Sequence, residues 1–287
     1  MRFLISNDDG VYAPGLLALY QALSTVGEVT VVAPTNEQSG CASALSVSMP
    51  LYTHKLASGF VAVNGSPADC VYLALHELYR HTRFDCVITG INSGANLGQD
   101  VLFSGTFGAA LTAQLFGIPA MATSLVGGGQ EQASHYKIAA DEIVKLLVET
   151  PILDTCKNLP YHVLNVNIPD VDSACEIKGR KITALGHSQI ARPVHHVVDP
   201  RGRDAYWLSL RKRQYELSEI GDNESSLGQS VVSQTVLSQQ TASKEARSLT
   251  MDMTDNQAVA AGYISLSPVR LHHTPAATLE KLSKLVL

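Results

Sequence analysis

The sequence predicts an α/β fold in which helices cover both faces of a central, mostly parallel β-sheet. Apolar runs of strand length alternate with stretches of helical periodicity from residue 3 to residue 167. The first 34 residues already give strand, helix and strand, a unit that joins parallel strands by a right-handed crossover. With 287 residues, 45% of them hydrophobic, the chain can bury a large core as one domain or as one domain with an appendage.

The opening elements are marked by their end signals. The first strand is predicted at residues 3–5, and the first helix begins at Pro14, since proline suits the first turn of a helix. Helical spacing of apolar side chains continues until Gly27, and a second strand covers residues 29–33 before Pro34. The same alternation predicts helices at residues 68–80, 106–116 and 132–149 and strands at residues 85–89, 119–124 and 162–167.

Beyond residue 170 the pattern of the sequence changes. Short β-like runs at residues 181–185 and 205–210 are interrupted by Pro193 and Pro200, which predicts extended hairpins in place of further strand–helix units. Residues 225–243 are rich in Ser, Gln, Thr and Val and predict a long exposed hairpin or a mobile loop.

The last residues of the sequence predict a final helix. It begins at Thr274, with Pro275 at its first helical position. Leu279, Leu282 and Leu285 then form an apolar stripe along one face, as in a helix that packs on a core.

Composition excludes several classes of function. The 21 basic and 26 acidic side chains leave a net charge of -5, which argues against binding of a nucleic-acid polymer or an anionic membrane through bulk charge. Five cysteines without a C-x-x-C pair indicate neither a disulfide framework nor a zinc site. No basic-then-apolar leader and no apolar run long enough to span a bilayer is present, so we expect a cytoplasmic protein.

Three polar loops follow predicted parallel strands. They are residues 7–10 (NDDG), residues 35–40 (TNEQSG) and residues 90–96 (GINSGAN). In open α/β sheets, ligands bind outside the carboxyl ends of the strands, near the point where the strand order reverses. We therefore expect the three loops to converge on one site.

The side chains of these loops predict a site for one divalent metal ion. Asp8 and Asp9 supply anionic oxygens, and Ser39 and Asn92 add a neutral hydroxyl and an amide oxygen. Such an all-oxygen set suits Mg²⁺ or Mn²⁺ better than Zn²⁺, which favours His and Cys. The alternative for the NDDG loop is turn formation and helix capping, which Asn and Asp also serve.

A phosphate site is predicted at the start of the third helix. Ser104, Gly105 and Thr106 stand where free backbone amides and the helix dipole favour an anion. The alternative is a plain Ser or Thr cap, which needs no ligand. A metal ion beside a phosphate site suggests phosphoryl chemistry.

Seven segments in order along the chain resemble the survival protein E family. They are SNDDGVYAPG (6–15), VVAPTNEQSG (31–40), GSPADCV (65–71), GINSGANLG (90–98), SGTFGAA (104–110), LNVNIPD (164–170) and GYISLSPV (262–269). Members of that family are metal-dependent phosphomonoesterases, 5'- and 3'-nucleotidases that act on nucleoside monophosphates, and some also cleave short polyphosphate.

The resemblance implies specific roles for residues of this chain. Asp8 and Asp9 would be catalytic and would hold one Mg²⁺ or Mn²⁺ together with Ser39 and Asn92. The phosphate would lie among four further residues, Asn96, Ser104, Gly105 and Thr106.

The resemblance also implies an architecture and an assembly. Residues 1–170 would form a Rossmann-like catalytic core, and residues 171–287 a β-hairpin and oligomerisation region whose C-terminal helix packs back on the core. Homodimers or homotetramers are expected. Residues 211–252 depart from the family pattern, since they carry Arg211-Lys212-Arg213 and a polar run where the family has a shorter stretch rich in Gly and Pro.

Three other classes of protein compete with this interpretation. A phosphoreceiver domain also places an acidic pair after its first strand, but it needs an acceptor aspartate at the end of its third strand, where this chain offers Asn92. A haloacid-dehalogenase-like phosphatase attacks through an aspartate and usually shows D-x-D instead of adjacent aspartates. A dinucleotide-dependent enzyme would need the absent G-x-G-x-x-G turn.

The proton donor to the leaving group stays open at this point. His187, His195 and His196 are candidates only because a histidine pKa is ordinarily close to neutral pH. The general base would be Asp8 or Asp9, whichever also contacts the attacking water.

Overall fold

The structure of the chain is a computed structural model that describes residues 1–127, 133–187, 194–208 and 253–270. Contacts among these residues define two compact units. One lies within Met1–Gly186 and Met251–Leu287, and the other lies within His187–Thr250. The predicted final helix from Thr274 and the polar run at residues 225–243 lie outside the described residues.

Strands and helices alternate along most of the described chain. The strands are β1 Arg2–Ser6, β2 Glu28–Pro34, β3 Thr53–Lys55, β4 Val61–Val63, β5 Cys86–Ser93, β6 Ala120–Val126, β7 His162–Pro169, β8 Arg180–Ile182, β9 Val194–Val198, β10 Asp204–Leu208 and β11 Ile264–Arg270. The helices are α1 Pro14–Leu23, α2 Pro67–Leu73, α3 Gly105–Leu115, α4 Ala133–Glu149, α5 Ile152–Lys157 and α6 Asp255–Ala260.

Nine of these strands form one sheet in the order β3-β4-β2-β1-β5-β6-β7-β11-β8. The six strands from β4 to β7 in this order are parallel to their neighbours, whereas β3 and β11 pair antiparallel with β4 and β7. From β1 the chain first adds β2 on one side and later adds β5 on the other. The strand order therefore reverses between β1 and β5, and the predicted fold class is confirmed.

Helices cover both faces of the sheet, as in a three-layer protein. Alternate side chains of β1 enter different cores, because successive residues of a strand point to opposite faces. Phe3 and Ile5 pack with α1, α4 and α5. Leu4 packs on the other face with α2 and α3. All three side chains are fully buried, and burial of each contributes roughly 1.5–3 kcal/mol.

Several elements differ from the sequence predictions. Strand β5 continues past Thr89 to Ser93, with an irregular pairing between Thr89 and Asn92. The helix predicted at residues 68–80 is α2 followed by a π-helical turn at Ala74–Leu78. The sequence analysis did not predict β3 or β4, because three-residue strands are too short to show a period.

The assignment of residues 181–185 to a hairpin is wrong. Strand β8 lies in the main sheet and pairs in parallel with β11. The reason is a buried hydroxyl cluster next to this pairing, in which Thr183 Oγ1 lies 2.7 Å from Ser265 Oγ and 2.7 Å from Ser267 Oγ. These polar contacts between distant parts of the chain leave no periodic signal in the sequence.

The second unit contains the antiparallel hairpin that the sequence predicted. Strands β9 and β10 pair from Val194 opposite Leu208 to Val198 opposite Asp204. A tight turn joins them, in which the Asp199 carboxylate accepts hydrogen bonds from the backbone of Arg201 and Arg203. No helix among the described residues is long and apolar enough to cross a membrane.

Candidate functional site

The loop after β1 lies at the point where the strand order reverses. Gly10 has a φ of +104°, a backbone conformation that favours glycine, and its carbonyl accepts a hydrogen bond of 2.9 Å from Asn7 Nδ2. The Gln38 amide donates to the Asp8 carbonyl at 2.7 Å, and the Ser93 amide donates to Asp9 Oδ2 at 3.1 Å. The loops after β1, β2 and β5 therefore meet at one place.

The Asp8 carboxylate is buried, with 4% of the residue exposed. Thr106 Oγ1 donates a hydrogen bond to its Oδ1. The start of α3 approaches closely, since a Cβ placed on Gly105 would lie 2.9 Å from Asp8 Cβ and 2.9 Å from Cys41 Sγ. Burial raises the pKa of Asp8, and the hydrogen bond from Thr106 offsets part of that rise. Only glycine at position 105 leaves room for this carboxylate.

Asp9 is more exposed than Asp8 but is also perturbed. Burial, and after it the charge of Asp8, raises the pKa of Asp9 to about 6. Glu37 adds a smaller rise for both carboxyl groups. Within the part of the chain that the structure describes, no basic side chain forms an ion pair with either aspartate. The two carboxylates therefore lie together with no Lys, Arg or His side chain of the described residues to balance their negative charge.

The structure places the two neutral candidate ligands on the neighbouring loops. Ser39 is exposed, and its hydroxyl donates to Glu37 Oε1 at 2.8 Å. Asn92 is partly buried near the end of β5, where it pairs with Ser124 of β6. Its amide nitrogen donates to the Gly94 carbonyl at 2.9 Å, and this bond does not engage the amide oxygen.

The donor atoms of this site fit a hard divalent cation. Among the described residues, no three His, Cys, Asp or Glu side chains cluster in a way that could hold a metal ion. Two carboxylates with neutral oxygens nearby match the ligands that Mg²⁺ and Mn²⁺ accept. Asn7 Oδ1, beside Asp8 in the chain, is a further buried oxygen without a hydrogen-bond partner among the described residues.

The start of α3 faces this acidic pair. Ser104 is the N-cap residue, and its Oγ accepts a hydrogen bond of 3.0 Å from the Phe107 amide. Thr106 is fully buried, and its hydroxyl is committed to Asp8. The amides of Gly105 and Thr106 occupy the first turn, where backbone N–H groups have no partner within the helix. The Thr106 amide also binds the Asp8 carboxylate, so the Gly105 amide, and neither of the two hydroxyls, is the group of this turn that suits a phosphate.

Asn96 lies in a buried network that the sequence analysis missed. Its carbonyl accepts hydrogen bonds from Asn165 Nδ2 at 2.8 Å and Asn167 Nδ2 at 3.0 Å. Its own amide side chain donates to Ser124 Oγ at 2.8 Å. The sequence offered one signal for this network. The segment LNVNIPD places asparagines at alternate positions of an apolar strand, so that both side chains point to the same face of the sheet.

The remaining candidate residues of the sequence analysis are three histidines and Asp85. His187, His195 and His196 belong to the second unit, in which His196 Nε2 lies 2.8 Å from Asp204 Oδ1. Asp85 precedes β5 and exchanges backbone and side-chain hydrogen bonds with Arg2 at the amino end of β1. An aspartate at that edge cannot act as the phosphate acceptor of a receiver domain, which must face the acidic pair.

The fold is that of a Rossmann-like α/β protein, with two adjacent carboxylates at the point where its strand order reverses. The family model described as "Survival protein SurE" matches residues 3–192. The chain belongs to this family.

Relatives of known name support the assignment. A protein of Psychrobacter cryohalolentis named 5'-nucleotidase SurE is 71% identical over 292 residues, with 100% of both chains covered. A protein of the same name from Acinetobacter baumannii (strain AYE) is 41% identical over 289 residues, with 98% of both chains covered. The crystal structure of the SurE protein from Aquifex aeolicus matches with a TM-score of 0.72 and 31% identity over 100% of both chains.

Proposed function

We propose that the protein is a 5'-nucleotidase, a divalent-metal-dependent phosphomonoesterase that hydrolyses nucleoside 5'-monophosphates to nucleoside and phosphate. One observation carries the metal-dependent part. Asp8 and Asp9 stand together at the switch point with raised pKa values and with no basic side chain beside them among the described residues. The names of the relatives at 71% and 41% identity support the nucleotidase part.

The metal would be held by Asp8, Asp9, Ser39 and Asn92. A divalent cation supplies charge neutralisation for the phosphate and lowers the pKa of a water that it binds. The hydrogen bond from Thr106 fixes the orientation of the Asp8 carboxylate toward this set. The amide of Ser93 does the same for one oxygen of Asp9.

The remaining steps belong to residues of the chain itself. Asp9, the more exposed of the two carboxylates, accepts the proton of the attacking water. The amide of Gly105 binds a non-bridging phosphate oxygen at the helix N-terminus, while Thr106 beside it holds the Asp8 carboxylate. Asn96 and Ser104 would line the same phosphate site.

The direct test measures phosphate release from adenosine 5'-monophosphate. The purified protein is assayed with Mg²⁺, with Mn²⁺ and with an excess of chelator. We expect turnover with a metal ion and its loss in chelator, restored when the metal is added back. Activity that persists in chelator would contradict the metal-dependent mechanism, and absence of turnover under all conditions would contradict the nucleotidase.

A second experiment separates water attack from attack by an aspartate. Acid quenching during turnover should trap no phosphorylated protein, because the mechanism forms no covalent bond to Asp8 or Asp9. Detection of an acid-stable or acyl phosphate on either residue would instead support the haloacid-dehalogenase-like route.

The range of substrates and the assembly are further parts of the proposal. We propose that 3'-monophosphates and short polyphosphate are also substrates and that the protein is a cytoplasmic homodimer or homotetramer. A panel of nucleoside 5'- and 3'-monophosphates and polyphosphates tests the first point. Light scattering coupled to size-exclusion chromatography tests the second, and a monomer would contradict it.

A further inference from the structure

Residues 96–98 form a segment held by side chains from distant parts of the chain. On one side, the Asn96 amide donates to Asn167 Oδ1 at 3.0 Å, and the Asn96 carbonyl accepts bonds from Asn165 and Asn167. Asn165 and Asn167 are fully buried on β7. These contacts fix the amino-terminal end of the segment against the sheet.

The other end of the segment is held by a buried carboxylate. Asp255 is 0% exposed, and its Oδ2 accepts a hydrogen bond of 2.6 Å from the Gly98 amide. Its Oδ1 accepts bonds from the amides of Gly186 at 2.7 Å and Asn256 at 2.8 Å. Hydrogen bonds to an ionised acceptor are about twice as strong as those between neutral groups. Three backbone amides from separate parts of the sequence thus converge on one side chain.

The packing around this carboxylate leaves little room for adjustment. Gly98 has a φ of +56°, and a Cβ placed on it would lie 2.7 Å from the Gly186 carbonyl oxygen. A larger residue at position 98 would therefore collide with Gly186, and glycine lets the two backbones approach each other at the Asp255 carboxylate.

Helix capping does not account for these contacts. The N-cap of α6 is Thr254, whose side chain accepts from the Gln257 amide and completes a capping box. Asp255 instead reaches residues that are 157 and 69 positions away in the sequence. Its carboxylate therefore binds backbone amides of residues 98 and 186 in addition to an amide of its own helix.

We propose that Asp255 is a positioning residue for phosphate binding, because it fixes Gly98 and thereby the nearby Asn96. The proposal rests on the proposed function, in which Asn96 lines the phosphate site. Asp255 itself touches neither substrate nor metal. Without its carboxylate the Gly98 end of the segment loses its fixed position, and Asn96 is held only by its bonds to β6 and β7. The phosphate then binds less tightly in the ground state and the transition state alike.

The test compares Asp255→Asn with the matched control Thr254→Ala. In Asp255→Asn, the new NH₂ group faces a backbone N–H, so that at least one of the long-range bonds is lost. We expect the KM for adenosine 5'-monophosphate and the Ki for inorganic phosphate to rise together, roughly 5- to 50-fold, with kcat within about threefold. Thr254→Ala should lower the Tm through loss of the cap and leave both constants within about twofold.

If Asp255→Asn and Thr254→Ala show the same KM for adenosine 5'-monophosphate and the same Ki for inorganic phosphate, the proposal is overturned, since a merely structural role predicts that result. If Asp255→Asn does not fold, hydrogen exchange of the Gly98 amide in the unmodified protein replaces it. We expect slow exchange that becomes slower when inorganic phosphate and Mn²⁺ are added. Fast exchange, or exchange that phosphate does not change, would overturn the proposal. An unmodified protein without activity on nucleotides would contradict the proposed function separately.

Discussion

Replacement of Asp9 by asparagine should stabilise the metal-free protein at neutral pH, although it removes a proposed metal ligand. The Asp9 carboxylate is partly buried beside the Asp8 carboxylate, and no basic side chain among the described residues compensates their charges. Asparagine has nearly the same shape and carries no charge. The substitution therefore removes the cost of burying the charge, and the repulsion from Asp8, without leaving a cavity.

The magnitude and its pH dependence follow from the shift in pKa. The pKa of Asp9 rises from 3.8 to about 6 on folding, and a shift of about two units corresponds to about 3 kcal/mol. Because the folded protein holds this proton more tightly than the unfolded chain, Asp9 costs no stability below pH about 4. The cost grows as the pH rises from the unfolded pKa and is complete above the folded pKa of about 6.

Urea unfolding in excess chelator at pH 4 and pH 7.5 measures this effect. The free energy of unfolding of Asp9→Asn should exceed that of the unmodified protein by about 0.5 kcal/mol at pH 4 and by about 3 kcal/mol at pH 7.5. Asp154→Asn is the control, since this exposed carboxylate lies 3.1 Å from Lys157 Nζ and should show little pH-dependent difference.

Saturating Mn²⁺ should reverse the order of stability, because only the unmodified protein then gains the full binding free energy of the ion. An Asp9→Asn variant that is less stable than the unmodified protein at pH 7.5 in chelator would refute the reasoning. A difference that does not change between pH 4 and pH 7.5 would refute it as well.

Three further predictions concern the residues around Asp8. Asp8→Asn should lower kcat at saturating Mn²⁺ by roughly 100-fold or more, whereas Ser39→Ala should cost about tenfold or less because water can replace a neutral ligand. Similar losses in the two variants would contradict the assigned roles. Gly105→Ala should destabilise the protein by about 1–3 kcal/mol and reduce activity, because the added Cβ would lie 2.9 Å from both Asp8 and Cys41; thermal unfolding and phosphate release measure both effects. Thr106→Val should raise the pKa of Asp8 further, since it removes a hydrogen bond that lowers it. The acid limb of the pH–activity profile should move to higher pH, and an unmoved limb would count against that contact.

The sequence was sufficient for the parts of the fold that depend on local patterns. Strands β1, β2, β6 and β7 are buried apolar runs with clear ends, and α1, α3 and α4 show helical periodicity over several turns. Their alternation determines a doubly wound sheet and places the loop with Asp8 and Asp9 at the point where the strand order reverses. The short strands β3, β4 and β8 were missed or misassigned because their pairing depends on residues far away in the sequence.

The same distinction applies to the site. Asp8, Asp9 and the start of α3 were predictable because they follow strands or begin a helix. The commitment of the Thr106 hydroxyl to Asp8 was not, since the two residues are 98 positions apart. The hydrogen bond from the Gly98 amide to Asp255 was hidden for the same reason, because nothing next to Asp255 in the sequence reveals it.

Calorimetric titration of the metal-free protein with Mn²⁺ tests most directly whether the two aspartates form a metal site. We expect one ion to bind per chain, with release of protons near pH 6 because Asp9 must give up its proton, and we expect binding to be lost in Asp8→Asn and weakened in Asp9→Asn. Failure of the unmodified protein to bind Mn²⁺, or equal binding in all three proteins, would contradict the account.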